Sequence, residues 1–183
     1  MRIIIVAMVR RGVEAYWERR AGIRIFRYIL YFRWFQSGKM QWLARFFLKH
    51  LSSKMCMAIG WKATIGKGLQ IVHGGCIAIN NEAIIGSNCT LYHGVTIGME
   101  FRGKRRGNPV IGNNVWIGAN ATIVGNVTIG DDVLIAPLAF VNFDVPSHSI
   151  LMGNPGIIKS RENATKGYII NSIENENNIR PKK

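Results

Sequence analysis

The chain has 183 residues and is 48% hydrophobic, enough for one domain with a buried core, which excludes a disordered chain. Its net charge is +14, but 13 of the 24 Lys and Arg fall in residues 1–62, where only Glu14 and Glu18 oppose them, so the basic character belongs to the N-terminal third. Cys56, Cys76 and Cys89 show no CxxC pair and no regular spacing; they suggest neither a disulfide framework nor a zinc site, and read as free thiols of a reducing compartment.

In chain order, the apolar run Ile3–Met8 is too short, and too closely followed by Arg10 and Arg11, for a secretory signal or a membrane span. The cytoplasm is therefore the expected location. From about Arg11 to Leu51, aromatic and aliphatic residues interleave with Arg at helical intervals and break near Ser37–Gly38, which predicts a helical cap over residues 1–62. Trp17, Phe26, Tyr28, Phe32, Trp34, Trp42, Phe46 and Phe47 either form the core of that cap or lie on an anionic membrane surface at its inner face. Nucleic acid is disfavoured as a partner, because no recognition motif accompanies the charge.

Residues 63–158 carry a six-residue repeat. Ile111, Ile117, Ile123, Ile129, Ile135 and Val141 follow one another without a break, and the sets Ile65, Ile71, Ile77 and Ile85, Leu91, Ile97 share the interval. Six is neither a helical nor a single-strand period, so a coil with three flat faces is required, each face sending one branched residue inward and each corner taking Gly or Asn. The expected fold is mainly β, a left-handed parallel β-helix of about four coils with an N-terminal α-helical cap. Two breaks in register mark insertions, one of two residues assigned to Asn80–Asn81, the other a basic loop over 99–109 containing Arg102, Lys104, Arg105 and Arg106. Residues 159–183 form a polar tail, and its end, Asn171–Lys183, is expected to be loose.

Of His50, His73, His93 and His148, two share a slot: His73 lies two residues after Ile71 and His93 two after Leu91, so they are expected to stack in one column about 4.8 Å apart. An imidazole suits the task of taking a proton from a hydroxyl as it attacks an acyl thioester. A corner histidine that merely bonds a carbonyl is the plainer alternative.

Ile65-Gly-Lys-Gly-Leu-Gln-Ile-Val-His73, Leu91-Tyr-His-Gly-Val-Thr-Ile-Gly98, Ile111-Gly-Asn-Asn-Val-Trp-Ile-Gly118 and Gly153-Asn-Pro-Gly156 resemble the hexapeptide-repeat acyltransferases. The resemblance is strongest to the serine acetyltransferase branch and its polysaccharide O-acetyltransferase relatives. It implies a homotrimer, acetyl-CoA as co-substrate in the groove between two subunits, no metal, and His73 as general base. It also implies a cofactor path along Trp116, Gly118, Ala119, Ala136 and Gly153, with Lys159 meeting a phosphate.

Several positions depart from the serine enzymes. The acidic residue expected before the catalytic His is Val72, the partner Asp is Ala58, and the loop Arg-His pair is Gly107-Asn108; no Asp precedes Asp131. Free serine calls for a carboxylate against its ammonium and a cation against its carboxylate. The expected function is therefore acetyl transfer to a hydroxyl of a surface-polysaccharide sugar, with serine O-acetylation as the alternative and a non-catalytic β-helix scaffold as the third reading. His93 is the second catalytic candidate, and Tyr92, Asn108 and Arg102 are the candidates for binding the acceptor.

Overall fold

The computed structural model describes residues 15–73 and 75–170, of which 15–23 as backbone alone. The readings of Ile3–Met8, of the Trp17 side chain and of a loose Asn171–Lys183 lie outside these residues.

Three sheets form the faces of a prism. Face one stacks β1 (Met57–Ile59), β4 (Ile77–Ile79), β7 (Thr96–Gly98), β10 (Thr122–Val124) and β13 (Phe140–Val141), all parallel. Face two stacks β2 (Thr64–Ile65), β5 (Ile84–Ile85), β8 (Val110–Ile111) and β11 (Thr128–Ile129). Face three stacks β3 (Gln70–Ile71), β6 (Thr90–Leu91), β9 (Trp116–Ile117), β12 (Val133–Ile135) and β14 (Ser149–Met152), and the antiparallel β15 (Ile157–Ser160) closes it. The winding is a parallel β-solenoid of about five turns, consistent with a left-handed β-helix.

The stack is about one coil longer than the sixfold count predicts, because its first coil, where Ile59, Ile65 and Ile71 keep the interval, starts ahead of the residues counted and its last coil breaks the interval. The first begins at Met57, inside the segment read as cap, and the last runs from Val141 to Val145, which bridges Ile129, in four residues instead of six. The two-residue insertion also moves. Ile79, not Ile77, pairs with Ile59 and Ile97, while Ile77 pairs with Met57, so the extra residues lie between Ile71 and Ile79 and not at Asn80–Asn81. The first two strands of face one, β1 and β4, bury two residues each, and Ile77 occupies the first of those slots in β4. The consequence matters for chemistry, since the enlarged corner is the one that carries His73.

The core is a column of buried Ile, Leu and Val running the length of the prism, including Ile85, Leu91, Ile97, Ile111, Ile117, Ile123, Ile129 and Ile135. Each such side chain contributes about 1.5–3 kcal/mol by leaving water. Corners require positive φ, and Asn88, Asn114 and Asn120 supply it, at 57°, 53° and 58°. Gly86 is needed for a different reason: a Cβ there would lie 2.4 Å from the Gly112 carbonyl oxygen of the next coil.

A solenoid end exposes unpaired backbone groups that need partners. Helix α1 (Ala15–Gln36) and helix α2 (Gln41–Met55) supply them at the N-terminal end. Arg33 donates to the Gly66 carbonyl (2.7 Å) and Gln36 to the Ala63 carbonyl (2.9 Å), while Ile25, Tyr28 and Phe32, at helical spacing, pack against the first coil. The aromatics fall into two groups by burial. Tyr28 and Phe32 are core, whereas Trp42 and Phe46, one turn apart, are 69% and 67% exposed. No helix among the described residues is long and apolar enough to cross a membrane.

Candidate active site

The edge where face three turns into face one gathers both histidines and several of the small residues singled out from sequence. The Gly94 amide donates to the Gly75 carbonyl, the Asn120 amide to the His93 carbonyl, the Leu138 amide to the Ala119 carbonyl and the Phe140 amide to the Gly153 carbonyl. These bonds stack His73, His93, Ala119, Ala136 and Gly153 along one side of the prism, coil upon coil. Gly153 is exposed and Ala119 and Ala136 are half-buried, so the backbone of the edge is within reach of a ligand. Leu138, 70% exposed at φ 62°, and Met152 add an apolar strip that sequence reasoning did not identify.

The two imidazoles meet. His73 is exposed, with its ring centroid 6.1 Å from that of His93 and 5.9 Å from that of Tyr92. Neither imidazole has a hydrogen-bond partner among the described residues, so both are available to an incoming group. The Glu82 carboxylate lies elsewhere, accepting a hydrogen bond from the Asn108 amide (3.0 Å) at the edge between faces one and two.

Face three and its margin carry Trp116, Gly118 and Lys159. The register aligns Thr90, Trp116, Leu134, Ile150 and Lys159 along its outer surface. Lys159 is exposed, and Gly118 packs so closely on the next coil that a Cβ would lie 2.6 Å from the Pro137 nitrogen. Trp116 is not open to solvent. It is 8% exposed, in contact with Tyr92 (5.0 Å between centroids) and Tyr168 (5.1 Å), and it shares a cluster with Leu134 and Ala164.

Tyr168 arrives there because the segment after β15 folds back over face three, held by one carboxylate. Asp132 accepts hydrogen bonds from the Thr165 hydroxyl (2.6 Å), the Thr165 and Ala164 amides (both 3.0 Å) and His148 Nδ1 (2.9 Å). Burial alone would raise the Asp132 pKa, but the bonds from Thr165, His148 and Ala164 outweigh it and hold the carboxyl below its ordinary range. The hydrogen bond to Asp132, aided by Glu162, raises that of His148. Sequence reading assigned no role to Asp132, Thr165 or Tyr168, since nothing in a polar tail marks which residue returns to the prism.

Arg102 and Asn108 do not join the histidines within one chain. The loop that holds them leaves between β7 and β8, at the edge between faces one and two, closed by the Glu100–Gly107 bridge and a 3-10 turn at Gly103–Arg105. Glu100 accepts bonds from the Phe101 and Arg102 amides, and Arg102 is exposed. No group of His, Cys, Asp and Glu among the described residues could hold a metal ion.

Residues 108–142 match the bacterial transferase hexapeptide (six repeats) family. The chain is similar to serine acetyltransferases: 44% identical over 94 residues to that of Helicobacter pylori, covering 50% of this chain and 54% of the relative. It is 39% identical over 124 residues to serine acetyltransferase 4 of Arabidopsis thaliana, covering 67% of this chain and 34% of the relative. Among solved structures, Neisseria gonorrhoeae serine acetyltransferase in complex with serine has a TM-score of 0.64 at 31% identity, over 76% of this chain and 57% of the other. The Brucella abortus enzyme in complex with coenzyme A has a TM-score of 0.67 at 27% identity, over 78% and 56%. The chain spans about half the length of the curated relatives it matches. The sixfold coil and these likenesses together fit a hexapeptide-repeat protein of the serine acetyltransferase-like branch.

Proposed function

We propose that this protein is an acetyl-CoA-dependent O-acetyltransferase in which His73 is the general base. The observation that carries the reading is the single edge that aligns His73 and His93 with the small residues Ala119, Ala136 and Gly153. His73 takes the proton from the acceptor hydroxyl as its oxygen attacks the thioester carbonyl; the tetrahedral intermediate collapses, releasing CoA, whose sulfur receives a proton. Backbone N–H groups along the edge are available to steady the oxyanion, and Lys159, on the same face, meets a phosphate of the nucleotide.

We infer that a second copy completes the site. Arg102 and Asn108 belong to a different edge of the same prism, and packing prisms side by side as a trimer brings that loop toward a neighbour's histidines. The relatives favour serine as acceptor: they are serine acetyltransferases, and one was solved with serine bound. In this reading Glu82 or Glu100 of the loop meets the ammonium and Arg102 the carboxylate. The second reading, a sugar hydroxyl of a surface glycan, is favoured by the uncharged Val72, Ala58, Gly107 and Asn108 at positions where the serine enzymes carry acid, Asp, Arg and His.

Steady-state release of CoA from acetyl-CoA in the presence of serine tests the proposal. Efficient, saturable release supports serine. Release with a sugar acceptor alone supports the glycan, and release with neither, alongside intact CoA binding, supports the scaffold reading.

A further inference from the structure

Cys56 and Cys76 meet in space although nothing in their spacing announces a pair. Cys56 ends α2 at φ 52°, and Cys76, at φ 46°, ends the enlarged corner that begins at His73. The pairing of Met57 with Ile77 places them on adjacent rungs at the mouth of face one. Their sulfurs are 3.2 Å apart, and both side chains are exposed. The third cysteine is the opposite case. Cys89 is fully buried within the prism, against the Gly112 carbonyl, and burial pushes its thiol up to about 12. A buried thiol is out of reach of a dissolved oxidant, so any oxidation concentrates on the exposed pair.

We propose that Cys56 and Cys76 are a thiol-oxidation site, forming a reversible disulfide that fastens the His73 corner to the end of α2. The oxidant is a low-molecular-weight disulfide. One cysteine thiolate attacks a sulfur of oxidised glutathione, expelling one glutathione thiolate and leaving a mixed disulfide. The second cysteine loses its proton and attacks the protein sulfur of that mixed disulfide, expelling the second glutathione. In sum the two protein thiols lose two electrons and two protons, and the glutathione disulfide becomes two thiols.

The bond needs sulfurs about 2.05 Å apart, so closing it draws the corner toward the helical cap by on the order of 1 Å. The consequence for catalysis rests on His73 being the base, because a shift of about that size in a reacting group can cost up to roughly 10²-fold in rate.

The test uses the full chain treated with oxidised glutathione, alkylated, digested and weighed. A peptide pair joined through Cys56 and Cys76, lost on dithiothreitol, with Cys89 alkylated only after unfolding, is the expected result. In the NMR spectrum of the intact protein the ring resonance of His73 moves on cross-linking while that of His148, at the far end of the prism, stays. Separate glutathione adducts on the two cysteines, or cross-links only between chains, would overturn the pair. A cross-link that leaves the His73 resonance in place would overturn its hold on the corner. Cys56→Ser and Cys76→Ser should each abolish the cross-link and the shift. None of these readouts depends on transfer, so failure of His73 as base is detected separately, by a His73→Ala protein that transfers at the wild-type rate.

Discussion

His73 and His93 are twenty residues apart in sequence, and their ring centroids are 6.1 Å apart in the structure, one coil above the other on the same edge. The proximity follows from the pairing of Ile71 with Leu91, two residues earlier in each coil. It is a property of the winding, and mutations that disturb the winding will disturb both rings.

Ile117 is fully buried in the third coil beneath this edge. Ile117→Ala should destabilise the protein by about 2–5 kcal/mol, by removing buried methyl groups and leaving a cavity between coils. Urea denaturation followed by circular dichroism measures it, and an unchanged midpoint would contradict the packing described.

Gly86→Ala probes the stacking itself. The new Cβ would lie 2.4 Å from a backbone oxygen of the next coil, so the coils must part locally, at a cost of about 1–3 kcal/mol. The melting temperature should fall, whereas Gly38→Ala, where nothing lies within 4 Å but φ is +78°, reports only backbone strain.

The fold-back over Trp116 should depend on pH in both directions. The Asp132 pKa is lowered in the folded protein, so its contribution is present above the ordinary carboxylate value of 3.8 and is lost as pH falls through the depressed value. The His148 pKa is raised, so its contribution is complete below the ordinary imidazole value of 6.5 and is lost as pH rises through the elevated one. Trypsin cleavage after Lys166 should be slowest between those limits. Thr165→Val should speed it, and a rate that ignores both pH and this substitution would contradict the anchoring role of Asp132.

How much of this was legible in the sequence depended on whether the period held. The sixfold run from Ile111 to Val141 predicted three strand pairings, Ile111 with Ile129, Ile117 with Ile135 and Ile123 with Val141, because a regular repeat leaves the inward residue only one place to go, and the gap before that run predicted the basic loop. The His73–His93 column was legible for the same reason. Where the interval broke, at Ile71–Ile79 and Val141–Val145, local pattern could not say which of two buried slots kept the register. Misplacing the first break hid the Cys56–Cys76 meeting, since only a twenty-residue coil brings them together. The return of Thr165 and Tyr168 was not legible at all, because a fold-back held by one carboxylate leaves no periodic trace.

Trp42 and Phe46 lie exposed on α2 beside Arg45 and Lys49, on a helix without an acidic residue. We propose that this face rests on anionic lipid. Sedimentation with phosphatidylserine-containing vesicles should carry the protein down at low salt, and Trp42→Ser with Phe46→Ser should weaken binding at least about tenfold. Equal binding by the double variant, or none by the parent chain, would contradict it.

The most direct test of the central claim is the kinetics of His73→Ala beside its affinity for CoA. With His73 as base, kcat for acetyl transfer falls by at least about 10² while the dissociation constant for CoA, measured by calorimetry, stays within about twofold. A variant that transfers acetyl at the parent rate would contradict the account, and a deficit found in His93→Ala instead would move the base one coil along the same edge.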